Sequence, residues 1–247
     1  SEELIEPLIR AGREALARKF RVEAFTLFRR IVDLSEQYNK SEKSQGAIAK
    51  TGIASLHLRV GELDAARRFL DEALAVDTKS ISTLDLGWVY HVSADTHLAM
   101  ENWTAANEDY TQAYGLYEAF DEYSRDLRSI LKQLVKVSHK MGRPERAIQF
   151  CQMYAQKRDW GSRMLYDPSE KITAWRGNNV VPVATVGVEY TINSNCRAVD
   201  VVVTRDGGMD AKKIKKIVQD AYWLPRFRDG EFTQTGLQRI SSFIINE

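Results

Sequence analysis

VGELDAARRFLDEA, residues 60–73, carries the pattern that decides the fold of most of this chain. Gly61 and two acidic residues precede Ala66, and Leu70 and Ala73 follow it at four and seven positions. Residues with this spacing lie on one face of an α-helix, and a small residue there lets a second helix approach closely. The stretch therefore predicts a helix that begins just after Gly61 and packs against a neighbour.

The same pattern occurs four times along the chain. The other copies are KFRVEAFTLFRRI (19–31), MENWTAANEDYTQA (100–113) and MGRPERAIQFCQMY (141–154). Their aligned alanines, spaced by 42, 40 and 41 residues, are Ala24, Ala66, Ala106 and Ala147. Such a period accommodates a pair of helices, and one pair cannot bury its own apolar face. We therefore predict stacked antiparallel helix pairs, with helices at 3–18, 21–38, 43–59, 62–76, 81–99, 102–118, 122–140 and 144–157.

These units resemble the tetratricopeptide repeat family. Gly61, Ala66 and Ala73 stand where the second helix of that family begins and packs, and Gly12 and Ala54 stand at the small position of its first helix. The period of about 41 residues exceeds the family's 34, and Thr78 replaces its terminal proline. The resemblance implies a scaffold that binds a protein or peptide partner on one long concave surface.

The hydrophobic period changes near Asn179, and the remainder predicts a different fold. Alternation from Val186 to Ile192 predicts a strand, NSNC (193–196) a turn, and RAVDVVVT (197–204) a partner strand. Asp210 is positioned to cap a helix that Pro225 ends, and TGLQRISSFII (235–245) predicts a last strand whose imperfect alternation indicates a bulge or burial on both faces. The chain is thus predicted to be an α+β protein, with helical repeats at 1–157, a linker or docking segment at 158–179, and a small antiparallel ββαβ domain at 180–247.

This last part resembles the C-terminal domain of TonB-type energy transducers between Val181 and Ile245. The match includes VGVEYTINSN (186–195) and WLPRFRDG (223–230), although Cys196 stands where that family usually has glycine. The resemblance implies a periplasmic domain that adds an extended segment of an outer-membrane transporter to a sheet edge. The receiving edge would be Leu237, Gln238, Arg239, Ile240, Ser241, Ser242 and Phe243.

Our leading hypothesis is a periplasmic adaptor, with its signal peptide removed, whose repeats hold one protein partner while the small domain docks another. One alternative is a structural scaffold whose small domain only caps the repeats or forms a homodimer. The other is a truncated energy transducer, which we favour less because Leu4–Ile9 already reads as the first repeat helix. The net charge of +1 does not point to nucleic acid, and no apolar run approaches the roughly 20 residues of a membrane span.

Catalytic motifs are not found in the sequence. It contains no phosphate-binding loop, G-x-S-x-G, HExxH or dinucleotide fingerprint, so we expect neither an enzyme nor a cofactor. His91 and Asp95 have a spacing that suits a shared metal, but His97 falls on a packing position and no third ligand is evident, so we predict no metal site.

Two further groups of residues leave alternatives open. The third unit is rich in aromatic residues that serve either packing or the wall of a peptide groove, and the groove candidates are Trp88, Tyr90, Trp103 and Tyr114. The two cysteines, Cys151 and Cys196, are either small buried thiols or a disulfide, and the disulfide requires the repeats and the small domain to fold together.

Overall fold

A computed structural model describes residues 2–38, 44–120, 125–156, 164–169, 172–174, 185–228, 231–233 and 238–245. The chain forms two compact units, Ser1–Ile130 and Leu131–Glu247. The boundary between them lies inside the seventh helix and not at the change of period near residue 179. The predicted division into 1–157, 158–179 and 180–247 follows the sequence pattern and stays a prediction.

The first unit is a series of antiparallel helix pairs. From α1 to α6 each helix packs against the next along the chain, and α1, α3 and α5 also contact one another in order. The helices of this unit are α1 (Ile5–Ala17), α2 (Arg21–Gln37), α3 (Ser44–Val60), α4 (Leu63–Leu74), α5 (Thr83–Ala99), α6 (Trp103–Glu118) and the first part of α7 (Arg125–Lys140). The predicted helices are confirmed, and their ends differ from the observed ones by three residues or fewer.

The corners between paired helices share one hydrogen-bonding arrangement. At the first corner the backbone N–H of Phe20 donates to the carbonyl of Ala15, and at the second the N–H of Glu62 donates to that of His57. The residue between helices has a positive φ each time, at Lys19, Gly61, Glu101 and Gly142. This is the Schellman motif, which satisfies carbonyls at a helix end. Lys19 and Glu101 show that the corner also forms without glycine.

Close approach of helices in the first unit centres on Phe28. Its ring is fully buried and lies against Gly12 of α1 and Gly52 of α3, where a Cβ atom at Gly12 would be only 2.9 Å from Phe28 Cε1. The aligned alanines of the repeat, Ala24, Ala66 and Ala106, are also fully buried. A small residue on one helix therefore receives a bulky side chain from the next.

The second unit combines the end of the helical region with a sheet. It contains the rest of α7, α8 (Pro144–Gln156), β1 (Met164–Tyr166), β2 (Ile172–Ala174), β3 (Thr185–Ile192), β4 (Ala198–Arg205), α9 (Ala211–Asp220), β5 (Tyr222–Trp223), β6 (Arg226–Arg228), β7 (Glu231–Thr233) and β8 (Gln238–Ile245). The main antiparallel sheet has the order β2-β8-β3-β4, and the buried face of α9 packs on residues of β3 and β4. The predicted ββαβ order is present as β3, β4, α9 and β8.

A short strand pair replaces the predicted end of the last helix. β1 pairs with β5, so Tyr222 and Trp223 are extended. Asp210 caps α9 as predicted, by accepting the N–H of Lys212, but the helix ends at Asp220 rather than at Pro225. Strands β1 and β2 both lie in the stretch that we assigned to a linker or docking segment, because three-residue strands are too short to show a period.

Strand β8 lies inside the sheet, which corrects the predicted receiving edge. Phe243 to Ile245 pair with β2 on one side and, at Phe243 and Ile244, with β3 on the other, so the predicted edge is wrong at Phe243. Gln238, Arg239 and Ile240 pair with β3, and Ser241 and Ser242 lie at a shift in the register of that pairing. Leu237 lies outside the described residues. The bulge predicted for the last strand is present in β8. Val186 of β3 pairs with Phe243 and Val188 pairs with Ile240, so β8 has one more residue than β3 in this interval.

The outer strand on the other side, β4, is irregular. Val199 pairs with Thr191 and Val202 with Glu189, so Asp200 and Val201 together oppose the single residue Tyr190. Asp200 has a φ of 54°, in the left-handed region. A bulge with an exposed charged residue makes a strand a poor template for adding another chain. Strand β4 is therefore protected against edge-to-edge pairing.

The packing around Phe28 gives a test with an internal control. Gly52→Ala places a methyl group into the Phe28 ring, and we expect it to lower the free energy of unfolding by about 1–3 kcal/mol through overpacking. Gly115→Ala in α6 meets nothing within 4 Å and should raise stability by about 0.5–1 kcal/mol through helix propensity. Urea unfolding followed by circular dichroism measures both. Equal effects of the two substitutions would contradict the packing described here.

Candidate protein-binding surfaces

The first helices of the pairs, α1, α3 and α5, form one face of the first unit. On this face one arginine connects α1 to α5. Arg13 of α1 forms a salt bridge with Asp85 of α5, and its guanidinium carbon lies 4.8 Å from the centre of the Trp88 ring. Asp85 also accepts a hydrogen bond of 2.6 Å from Ser82 Oγ. A cavity of about 450 Å³ on α1 is lined by Glu6, Ile9, Arg10, Arg13, Glu14 and Ala17. This face offers charged side chains of both signs to a partner.

The predicted groove aromatics are not alike in position. Trp88 is half-buried, packs against two apolar clusters and lies 6.5 Å from Phe28 between ring centroids. Tyr114 is buried in α6, and its hydroxyl donates to Glu118. Tyr90 and Trp103 are half-buried. Tyr114 therefore belongs to the packed interior, while a groove wall formed by the other three stays a prediction.

A polar network joins α5 to α6 in the third helix pair. Ser93 Oγ donates to Asp109 Oδ2 over 2.6 Å, and His97 Nε2 lies 3.8 Å from the same oxygen. Burial raises the pKa of Asp109 above its ordinary value, and Ser93 and His97 partly offset that rise. The serine hydroxyl points to the carboxylate rather than to the imidazole, so the histidine is not placed to activate it. The network joins two helices and does not form a nucleophilic site.

His91 and Asp95, the pair whose spacing suits a shared metal, lie next to this network on α5. Tyr110 donates its hydroxyl to Asp95, and His91 Nε2 lies 3.9 Å from Asp95. Within the ranges that the structure describes, no three metal-binding side chains come together. In the same ranges, none of the helices is long and apolar enough to cross a membrane.

An apolar pocket lies at the corner of the first two helix pairs. It has a volume of about 280 Å³, and its walls are almost wholly apolar. The lining residues come from the start of α2, the end of α3 and the following corner: Arg21, Val22, Phe25, Thr26, Leu56, His57, Val60 and Glu62. No motif in the sequence predicted this pocket. The sequence feature that could have indicated it is the apolar pair Val22 and Phe25, since the second helix pair has Asp64 and Arg67 at these positions.

In the second unit, a disulfide joins α8 to the turn between β3 and β4. Cys151 and Cys196 are bonded across 45 residues of sequence, and both are fully buried. Gln152 adds a hydrogen bond of 2.8 Å from its side-chain amide to the carbonyl of Ser194. The chain-entropy model assigns a loop of this length about 4 kcal/mol of stabilisation. Of the two alternatives left open by the sequence, the structure has the disulfide.

A cluster of rings packs beside this junction. His139 of α7 meets Tyr166 and Tyr222 edge-on at centroid distances of 5.8 and 5.7 Å, and its Nδ1 lies 3.2 Å from the Tyr222 hydroxyl. The guanidinium carbon of Arg197 lies over the Tyr222 ring, 3.6 Å from the ring centre. Burial lowers the pKa of His139, and the positive charges of Arg197 and Lys140 lower it further. Asp220 acts in the opposite direction.

Comparison with known proteins shows the fold but not a family. No protein-family model matches the chain, and no curated protein matches it. A solved structure of a putative kinesin light chain from Podosopora anserina with nearly identical TPR-like repeats has a TM-score of 0.52 and 14% identity, and the match covers 63% of this chain and 75% of that chain. At that identity the likeness shows a TPR-like helical repeat fold and nothing more.

Two further solved structures resemble the chain less closely. MamA protein has a TM-score of 0.45 and 13% identity, with 64% of this chain and 74% of that chain covered. BtubC (BKLC) from P. vanneervenii has a TM-score of 0.47 and 16% identity, with 68% and 78% covered. These matches give no support to a TonB-like C-terminal domain, so that resemblance stays a prediction.

The environment of His139 predicts how stability depends on pH. The folded state holds the pKa of this imidazole below its ordinary value, which is about 6.5. As pH falls through that value the unfolded chain binds a proton that the folded chain resists, so the free energy of unfolding should decrease. We expect His139→Gln to show a smaller decrease between pH 7 and pH 5 than the native protein, measured by urea unfolding. Parallel pH profiles for the two proteins would contradict the prediction.

Proposed function

We propose that this chain is a protein-binding scaffold whose helix pairs hold one partner on the face formed by α1, α3 and α5. The observation that supports this most directly is the stacked series of helix pairs, because folds with TPR-like repeats generally mediate protein–protein interaction. The face displays Glu6, Arg10 and Arg13. A charged surface of this kind suits a partner segment that presents both acidic and basic side chains.

The sheet of the second unit serves, in this proposal, to cover the end of the repeat series. A terminal repeat exposes an apolar side that must be capped. Two links within the second unit support the capping role: the disulfide between Cys151 and Cys196, and the contact between His139 and Tyr222. Both connect a helix of the last pair to the sheet part, so the two fold as one body.

We further propose that the protein works outside the cytoplasm, in the periplasm of a Gram-negative bacterium. Buried disulfides form and persist in oxidising compartments and are rare in the cytosol. The bond between Cys151 and Cys196 therefore supports an extracytoplasmic location. The periplasm in particular rests on the TonB-like pattern of the last 68 residues, 180–247.

A second proposal concerns docking of an extended segment from an outer-membrane transporter. It is supported by the order β3, β4, α9, β8, which follows the pattern expected of a TonB-like domain. Strand β2 pairs with Phe243, Ile244 and Ile245. An added strand would therefore have to use Gln238–Ser242, the part of β8 before the β2 pairing. A docking site there is shorter than the predicted edge.

Photo-crosslinking in cells of the source organism tests both proposals in separate arms. Benzoyl-phenylalanine at Arg10 should yield a discrete adduct with a protein partner, whereas the same group at exposed Thr111 of α6 should yield none. An adduct from Arg239 with an outer-membrane protein would support docking at β8. Failure at Arg10 would overturn the scaffold proposal, and failure at Arg239 alone would overturn only the docking proposal.

Thiol trapping tests the location. Cells are quenched in acid, and denatured protein is treated with a maleimide polymer that adds mass to each free thiol. We expect no mass shift for the native chain before chemical reduction and a shift by two groups afterwards, because Cys151 and Cys196 are its only cysteines. The Cys151→Ser variant should shift by one group without reduction, which controls for access. Two free thiols in unreduced native protein would overturn the extracytoplasmic proposal.

A further inference from the structure

Large apolar side chains are exposed together at one corner of the first unit. Val22 is 82% exposed, Phe20 and Val60 are each 54% exposed, and Phe25 is 40% exposed. Val22, Phe25 and Val60 line the pocket of about 280 Å³ described above, and Phe20 is the residue that precedes α2. Single exposed apolar residues are ordinary on protein surfaces, but a contiguous group around a cavity marks an interaction site.

The repeat itself shows that packing does not require these residues. The positions of Phe20, Val22 and Phe25 are occupied in the second helix pair by Glu62, Asp64 and Arg67, in the third pair by Asn102, Thr104 and Asn107, and in the fourth pair by Arg143, Glu145 and Ile148. The helices of these pairs form with polar residues at the first two of those positions. The helices therefore form without apolar residues at the positions of Phe20 and Val22, and the exposed apolar surface of these two residues calls for another explanation.

The floor of the pocket is held in place by a histidine. The His57 ring stacks on Phe69 with centroids 5.5 Å apart and meets Phe25 edge-on at 6.3 Å. Its Nδ1 also lies 2.5 Å from Glu62 Oε2. These three contacts hold the ring in place, so the cavity is present in the chain without a partner. A preformed site loses less conformational entropy on binding than one that must be ordered.

The charges around the pocket favour an acidic partner. Lys19 and Arg21 lie at the same corner, and neither takes part in a salt bridge between described residues. One acidic side chain, Glu62, also lines the pocket and contacts His57, so the two cations exceed it by one positive charge. Arg18 is paired with Glu14, and Glu23 of α2 does not line the cavity. The cations left available are therefore next to an apolar cavity.

We propose that this pocket binds an acidic segment of a protein partner that inserts one bulky apolar side chain. The volume suits a single side chain, since pockets for drug-sized ligands span roughly 300–1,000 Å³. Val22, Phe25 and Val60 surround the inserted group, while Lys19 and Arg21 attract the acidic residues beside it. The inference rests on the proposed function as a scaffold, but the pocket is separate from the face of α1 that carries Arg10.

Peptide binding to the full chain tests the proposal. The probe is a fluorescein-labelled peptide of about twelve residues with one central Phe flanked by Asp, Glu and Gly, and binding is followed by fluorescence anisotropy. The pocket variant is Val22→Asp with Phe25→Arg, which introduces the residues that the second helix pair has at these positions, Asp64 and Arg67. We expect its Kd to be at least about tenfold higher, as the loss of one buried aromatic contact predicts.

Matched controls separate the apolar and charged contributions. Thr104→Asp with Asn107→Arg introduces the same charges at the equivalent positions of the third helix pair and should leave the Kd unchanged. A peptide with Ser in place of Phe should bind at least about tenfold more weakly, and a peptide with Lys in place of the acidic residues should also bind more weakly. Higher salt should weaken the native interaction.

Several outcomes would overturn the proposal. These are the absence of saturable binding by the acidic Phe peptide, an unchanged Kd in the pocket variant, or equal affinity for the Lys-flanked peptide. Self-association of the native chain that the pocket variant abolishes would instead identify a second copy as the occupant. An unchanged Kd in the pocket variant together with a crosslink from Arg10 to a protein partner would show that the scaffold function stands while the pocket assignment fails.

Discussion

The contact between a small residue on one helix and a bulky side chain on the next is the constraint on which the first unit depends. Phe28 fills the space left by two glycines, Gly12 and Gly52, on helices that precede and follow its own. Because a helix pair has no core of its own, each such contact joins one pair to the next and extends the buried interior. The corners then need only reverse the chain, and residues as different as Lys19 and Gly61 do so.

This constraint also separates structural residues from residues that are free to serve binding. Positions that face a neighbouring helix are apolar or small in every helix pair, as the buried alanines show. Positions at the exposed start of each second helix vary without effect on the fold. Val22 at such a position is informative because packing does not explain it, whereas Tyr114, although aromatic, is explained by its burial in α6. Differences between the helix pairs of this chain thus distinguish residues needed for packing from residues available for binding.

The helices could be predicted because their signal is local and repeats with a period of 3.6 residues. The strand pairs were harder, since their partners are distant in sequence. Ile172–Ala174 has no period of its own, and it becomes a strand only because Phe243–Ile245 lies beside it. The same contact turned the predicted outer edge into an internal strand. Likewise α9 ends at Asp220 because Tyr222 pairs with β1, and this tertiary contact takes effect before Pro225 is reached.

Cys196 connects backbone geometry, stability and location in a single residue. Its φ of 59° lies in the left-handed region, where a residue other than glycine costs about 1–3 kcal/mol. A glycine would adopt the turn without that cost. The disulfide to Cys151 offsets it, because closing a loop of 45 residues contributes about 4 kcal/mol in the chain-entropy model. The balance is favourable only where the bond stays oxidised, since reduction removes the gain and leaves the backbone cost. A cysteine at this turn is therefore advantageous in an oxidising compartment and a liability in a reducing one.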